Sequence, residues 1–374
     1  MRILWLSHEA NISGANLCLK EFMQIASELN YEQLLILPHE GNMETLAEEL
    51  NVQSKIIHYY PWTRQLHDSF FNWSFVRRFL RNFIGTLQLA KIIYTHKIDL
   101  VFTNTSVINI GAFAAFLTRR RHFWYVHEMG EEDFGIKLSW GKISYWFMNR
   151  FSDKVLTNSN HLAKKYKSKF SSFKIEILRY PVNVPQIKDT RMWNDAETIQ
   201  LLLIGQVIQS KGHMVALNAI KEITEQGKKV KLNIVGKIED EKFKSVLFEF
   251  ISDNKLENHI QFIDFTSTPH FTIADNHILL MCSKCEAFGR VTIEAMKLGV
   301  PVIGSATCGT LEIIEDKKTG LLFNQGDGHS LAEKILILIH DEELRENIIS
   351  FAKQQAYQMC NKVVVSEFFK NQLN

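Results

Sequence analysis

Short runs of β-branched and leucine residues alternate with longer segments of helical periodicity along nearly the whole chain. RILWLS (2–7), QLLILP (33–38), KIIHYY (55–60), LVFTN (100–104), HFWYV (122–126) and KVLTNS (154–159) read as strands. Between them, 16–29, 74–96 and 139–150 carry apolar residues at helical spacing. Strands apolar on both faces and separated by helices predict a parallel sheet covered on both sides. Pro181 and Pro185 then frame YPVNVP, and a charged stretch (187–198) poor in apolar residues follows, which predicts a domain boundary near residue 183. The pattern restarts with QLLLIG (200–205), VKLNIVG (230–236), IQFIDF (260–265), HILLMCS (277–283), VPVIGS (300–305) and GLLF (320–323). From about residue 329 the reading is wholly helical, with the last helix or helices expected to cross back to the first domain. The fold class is therefore α/β: two doubly wound parallel-sheet domains, residues 1–183 and 184–374, facing across a cleft. Ligands are expected at the carboxyl ends of the strands.

Composition narrows the class without naming a chemistry. A chain of 374 residues is too long for one small core, and 46% hydrophobic with 22% charged residues is that of a soluble globular protein. A net charge of +2 gives no general affinity for nucleic acid, and none is expected as a partner. The five cysteines form an odd, scattered set, which points to a reducing cytoplasm. Cys282 and Cys285 have C-x-x-C spacing but no second pair at zinc-ligand distance, so both read as plain buried or loop thiols. The N-terminal MRILWLSHEA lacks a signal-peptide core, and NIGAFAAFL (109–117) falls short of the roughly 18 apolar residues of a membrane span. The expected location is cytoplasmic, with a peripheral place at the inner face of the membrane as the variant.

Three strand ends of the second half carry chemistry. The strand 200–204 ends at Gly205, and QVIQSKGH brings Lys211 to the start of the next helix. A lysine there adds charge to the helix's positive end and suits a phosphate, or it is a surface lysine before a turn glycine. In CEAFGRVTIE (285–294), Gly289, Arg290 and Val291 begin a helix whose first amides would face an anion. Glu286 and Glu294 bracket that start: a pair for two hydroxyl-bearing parts of one ligand, or two solvated rim charges. GSATCGTLEII (304–314) supplies a third turn with Gly309, Thr310 and Glu312. Agreement of the three is stronger than any one of them.

Gly205…Lys211-Gly212, Glu286-Ala-Phe-Gly…Glu294-Ala, Gly299-Val-Pro-Val and Gly309-Thr-Leu-Glu312…Gly320-Leu-Leu-Phe, in this order, resemble the second domain of retaining glycosyltransferases with the GT-B fold. The family most similar is glycosyltransferase family 4, with its Glu-x7-Glu pair. The resemblance is specific over 200–325 and weaker over the first half. It implies two Rossmann-like domains, with a nucleotide-diphosphate sugar (UDP- or GDP-linked) as co-substrate and a glycan or lipid-linked acceptor. It places Glu294 on the ribose hydroxyls, Glu286 on the donor sugar, Lys211 on the diphosphate, and the Phe288-Gly289-Arg290-Val291 backbone as its cap. Gln206 stands where the family often has arginine, Ala287 where glycine is common, and Cys308-Gly309 where Gly-Gly is usual.

The first domain is expected to hold the acceptor. SHEANISGAN (7–16), with Gly14, resembles the family's glycine-containing first loop, and His127-Glu128 resembles the place where a histidine meets the donor sugar. Asn104 sits at another strand end. Departure of the nucleotide leaves an oxocarbenium-like sugar and a diphosphate, whose charge Lys211 and helix amides would stabilise. No Asp-x-Asp occurs, and no metal is expected. The basic aromatic stretches 62–83 and 119–124 are candidates for peripheral membrane contact, or a helix packed on its own sheet with a solvated basic face. The rivals to a transferase are a non-catalytic nucleotide-sugar-binding partner subunit and a GT-B sugar-nucleotide epimerase or phosphorylase.

Overall fold

The computed structural model describes residues 1–373 apart from 66–72, 171–173, 188–192, 194–197 and 239. The chain folds as two compact units, Met1–Pro181 with Asn361–Asn374, and Val182–Cys360.

The first unit runs β1 (Arg2–Ser7), α1 (Gly14–Glu28), β2 (Glu32–Leu37), α2 (Asn42–Glu49), β3 (Gln53–Ile56), β4 (Thr63–Gln65) and α3 (Trp73–Thr95). It continues with β5 (Leu100–Asn104), α4 (Ile110–Thr118), β6 (Arg121–Val126), α5 (Glu131–Phe134), β7 (Ile136–Leu138) and α6 (Lys142–Phe151). β8 (Lys154–Thr157), α7 (Asn160–Lys167) and β9 (Ile175–Ile177) complete it. Seven strands form one sheet in the order β3-β2-β1-β5-β6-β8-β9, every pair parallel. β4 and β7 pair antiparallel on their own. Sheet and helices close on a core that includes Leu4, Leu6, Leu34, Ile36, Val101 and Ile110.

Two expectations change here. The run 55–60 leaves the ladder after Ile56 although Ile57 and Tyr59 are buried. The Tyr59 hydroxyl donates to the carbonyls of Ser7 and Ile36, so the run is apolar because it packs, not because it pairs. β4, β7 and β9 were not predicted; at three residues each they are too short for a period to register.

The basic aromatic stretches divide between buried and exposed side chains. Of 62–83, residues 66–72 lie outside the described residues; Trp62 is buried, stacks on Trp124 and donates to the Ser106 carbonyl. In 119–124, His122, Phe123 and Trp124 are buried in β6 and present nothing to a membrane. Only Arg119 and Arg120 are exposed there.

The second unit runs β10 (Ile199–Ile204), α8 (His213–Glu225), β11 (Val230–Val235), α9 (Glu241–Asp253), β12 (Ile260–Ile263) and α10 (Pro269–Ala274). β13 (Ile278–Met281), α11 (Arg290–Leu298), β14 (Val302–Ser305), α12 (Thr310–Ile313), β15 (Leu321–Phe323), α13 (Gly328–His340) and α14 (Glu342–Met359) follow. Its six parallel strands lie in the order β12-β11-β10-β13-β14-β15. Counted within the unit this is 3-2-1-4-5-6, the doubly wound order whose direction reverses between the first and fourth strands. Asp240, Asp327 and Asp341 cap α9, α13 and α14 by accepting from backbone amides of the first turn. The last helix, α15 (Lys362–Leu373), packs on α1 in the first unit, with Phe369 edge-on to Trp5 and Phe22. Among the described residues no helix is long and apolar enough to cross a membrane.

Candidate functional site

The reversal point of the second sheet lies between β10 and β13, so the loops after those two strands meet at its carboxyl edge. These are the loops that carry Gly205, Gln206, Lys211, Glu286 and Gly289. Gly205 ends β10 at φ +153°, and the Lys211 side chain runs past it, its Cδ 3.8 Å from where a Cβ on Gly205 would lie. Gly212 follows in the left-handed region, φ +75°, where a Cβ would fall 2.0 Å from the Cys282 carbonyl oxygen. Only glycine lets the start of α8 rest on the end of β13. The backbone contact is continued by Lys284 N donating to Ser210 O at 2.8 Å.

Lys211 Nζ donates to Glu286 Oε1 at 2.5 Å, and Ser283 Oγ donates to the same oxygen at 2.6 Å. The side chains of the pair are 18% and 15% exposed, so the charges meet in a mostly desolvated place. Ser283 was not anticipated; it is a small hydroxyl beside a charged residue, and only the fold of the loop shows what it holds. Eight positions on, Arg290 Nε donates to Glu294 Oε1 at 2.8 Å, with the side chains 11% and 3% exposed. Both bracketing glutamates are thus ion-paired rather than rim charges, and Glu294 is buried. Arg290, whose backbone is expected to help cap the diphosphate, pairs its side chain with Glu294. Phe288 is buried, while Gly289 and Val291 are half-buried around the α11 N-terminus, whose first amides have no acceptor within the helix.

The third turn closes against the second. Gly309 N donates to Glu286 O at 2.9 Å, and a Cβ on Gly309 would lie 2.7 Å from the carbonyl oxygens of Glu286 and Ala287. Thr310 is buried behind it. A disulfide joins Cys285 to Cys308, Cα atoms 5.3 Å apart, across the loops that follow the adjacent strands β13 and β14. This corrects the reading of Cys285 as a plain thiol. Cys282 is a free buried thiol, and burial pushes it up to about 12. Cys308 adopts φ +46°, a backbone more usual for glycine or asparagine. His213, the first residue of α8, is buried, with Nδ1 3.3 Å from Ile208 O. Burial holds it down to about 4, with Lys211 adding to the depression, so its ring is neutral.

The first sheet has its own reversal point, between β1 and β5. Ser13 caps α1, and Gly14 opens the helix with open space around it. Asn16, not singled out from the sequence, ties the preceding loop down. It pairs with Ser7 Oγ at 2.6 Å and donates to Glu9 O and Asn11 O at 3.1 and 2.7 Å. Asn104 Nδ2 donates to Ala15 O at 2.9 Å, which turns Oδ1 toward His127 Nε2 at 2.6 Å. A carbonyl oxygen only accepts, so the neutral His127 ring carries its proton on Nε2. Asn104 therefore orients His127. Glu128 is buried and accepts from Ser106 N and Ser106 Oγ, each at 2.5 Å, and from His127 N at 3.0 Å. It braces the loops after β5 and β6 as a structural carboxylate.

Comparison with known proteins finds family matches over both halves of the chain. The model described as Glycosyl transferases group 1 matches residues 190–355, and that described as Glycosyltransferase Family 4 matches residues 12–184. The chain belongs to the group 1 glycosyltransferases. Among curated relatives of this family member is the capsular polysaccharide biosynthesis glycosyltransferase CapM of Staphylococcus aureus. It is 28% identical over 172 residues, 46% of this chain and 44% of that protein. N-acetyl-alpha-D-glucosaminyl L-malate synthase of Bacillus anthracis is 31% identical over 123 residues, 33% of this chain and 32% of that one. The chain thus spans less than half the length of each of these two relatives. A solved structure of Anabaena Alr3699/HepE in complex with UDP and glucose superposes with a TM-score of 0.82 at 21% identity. It covers 100% of this chain and 99% of its own. The family member's fold is GT-B.

Proposed function

We propose that the chain is a retaining, metal-independent glycosyltransferase. It moves a hexose or N-acetylhexosamine from a UDP- or GDP-sugar to a glycan or lipid-linked acceptor, in bacterial-type surface polysaccharide or glycolipid synthesis. The observation that carries the reading is the pairing of Lys211 with Glu286 at the reversal point of the second sheet, one helix start away from the Arg290–Glu294 pair. That HepE structures hold UDP and UDP-glucose supports the donor class, and the CapM match supports a surface polysaccharide.

On this reading the diphosphate takes Lys211 as its counter-charge, with the α11 amides aimed at its oxygens. The ammonium has three donors and spends one on Glu286, so it can hold both carboxylate and phosphate. Glu286 Oε2 has no hydrogen bond among the described residues and is left for a sugar hydroxyl. Glu294, set by Arg290, takes the ribose. As the glycosidic bond breaks, negative charge grows on the leaving diphosphate where these donors already stand, which is preorganised stabilisation. His127, its proton fixed on Nε2, acts on the reacting sugar, and the Gly14 turn serves the acceptor side.

A thermal-shift screen of nucleotide sugars identifies the donor; a ligand at 100 times its Kd adds about 2.7 kcal/mol. Glu286→Ala should then retain nucleotide binding while losing sugar transfer. Wild-type protein that binds a nucleotide sugar yet neither hydrolyses nor transfers it would overturn the catalytic reading in favour of a binding subunit.

A further inference from the structure

Over residues 79–87 helix α3 turns its apolar side chains outward, whereas Leu89 and Ile93 further along it are buried in the core. Its inner face carries Asn82, Gly85 and Thr86, all buried. Asn82 accepts from Tyr60 N at 2.8 Å and donates to Tyr60 O at 2.9 Å, and a Cβ on Gly85 would lie 3.3 Å from His58 O. These contacts fix the rotation of the helix about its axis. Phe79, Leu80, Phe83, Ile84 and Leu87, at helical spacing, are consequently between 49% and 56% exposed.

Ring contacts connect this stripe to its neighbours. Phe79 lies 6.2 Å from Trp140, Trp140 5.4 Å from Phe147, and Phe147 5.1 Å from Trp146. Trp146 and Ile143 of α6 are 58% and 59% exposed, and Phe116 and Leu117 at the end of α4 are 48% and 56% exposed. Half-exposed side chains of this size add to an apolar area on the order of several hundred Å², at or above the largest patch of an ordinary monomer. Helices α3, α4 and α6 contain no aspartate or glutamate. Arg77, Arg78, Arg81, Arg119 and Arg150 are exposed around the patch.

We infer that this face docks on an anionic lipid bilayer, the phenylalanines and Trp146 entering the headgroup layer and the arginines pairing with lipid phosphates. Apolar side chains ringed by cations, without a single acid on the three helices, fit that surface. A second copy fits it poorly, because a two-fold contact of the face with itself would bring arginines together. The inference does not rest on the transfer reaction.

The test is cosedimentation of the full chain with vesicles of phosphatidylcholine alone and with about one third phosphatidylglycerol. Binding is expected on the anionic vesicles, falling as salt is raised. Each arginine near the surface contributes about fivefold, so Arg77→Ser with Arg78→Ser should lower partitioning about 25-fold. Phe83→Ser with Leu87→Ser should lower it about tenfold or more at unchanged melting temperature. Should that pair destabilise the protein, Trp146→Ser on a different helix decides. Equal binding to neutral vesicles, or variants that bind like the wild type, would overturn the inference. So would a dimer in gel filtration that Phe83→Ser with Leu87→Ser dissociates, which would give the face to a second copy.

Discussion

At the scale of single residues, the candidate site is two ion pairs held by small residues. Lys211 and Glu286 serve each other in the unliganded protein. Lys211→Met is expected to lower transfer by about 10²–10³, the cost of removing one preorganised donor from a developing anion. It should also couple to Glu286→Gln in stability by about 1 kcal/mol, which a double-mutant cycle in denaturant measures. Additive effects would show that the pair is not a unit. Arg290→Met leaves Glu294 buried without its cation and should cost about 3–5 kcal/mol, read by chemical denaturation. The sequence marks all four residues, because each lies in the loop after β10 or β13 or in the helix that follows it. It does not mark Ser283, nor the partner of Cys285, which lies 23 positions away. Counting thiols in unfolded, unreduced protein should give three of the five cysteines, Cys18, Cys282 and Cys360; five would rule out the bond.

At the scale of elements, strands were legible and their neighbours were not. Eleven of the twelve apolar runs lie within one or two residues of a strand because a buried parallel strand must be apolar on both faces. α3 shows the limit of that reasoning. Its phenylalanines suggest an inner face, yet over 79–87 the backbone of 57–60 takes up the near side and admits only Asn82, Gly85 and Thr86, and the apolar face turns inward at Leu89 and Ile93. Lys297 of α11 is another such case: buried, with Nζ donating to Val182 O at 2.8 Å and Cys360 O at 3.4 Å, it ties the first and last residues of the second unit. Lys297→Met should cost about 2 kcal/mol through the carbonyls it abandons, seen as a lower unfolding midpoint. α15 is fastened by Phe369, fully buried beside Trp5, Phe22 and Phe102, and Phe369→Ala should cost about 3–5 kcal/mol.

At the scale of the whole molecule, each unit carries a buried neutral histidine. Burial holds His122 down to about 3 and His213 to about 4, against an ordinary 6.5. Folded values below the unfolded one mean that the unfolded chain binds protons first as pH falls. The stability from the neutral rings is therefore whole above pH ~6.5 and lost progressively toward pH 4 and below. Calorimetry across that window should show a falling melting temperature, with a shallower slope in His122→Phe. An unchanged slope would remove burial of His122 as a cause.

What the sequence determined by itself was the alternation of strand and helix and the placing of charged and glycine residues at strand ends. Both are local properties, written in periods of a few residues. What only the tertiary structure decided was who meets whom: Lys211 with Glu286 across 75 positions, Cys285 with Cys308, and the outward turn of α3 over 79–87. Those outcomes depend on which strands lie side by side and what backbone already fills a face. A parallel sheet sets its neighbours through crossovers whose order no local period records.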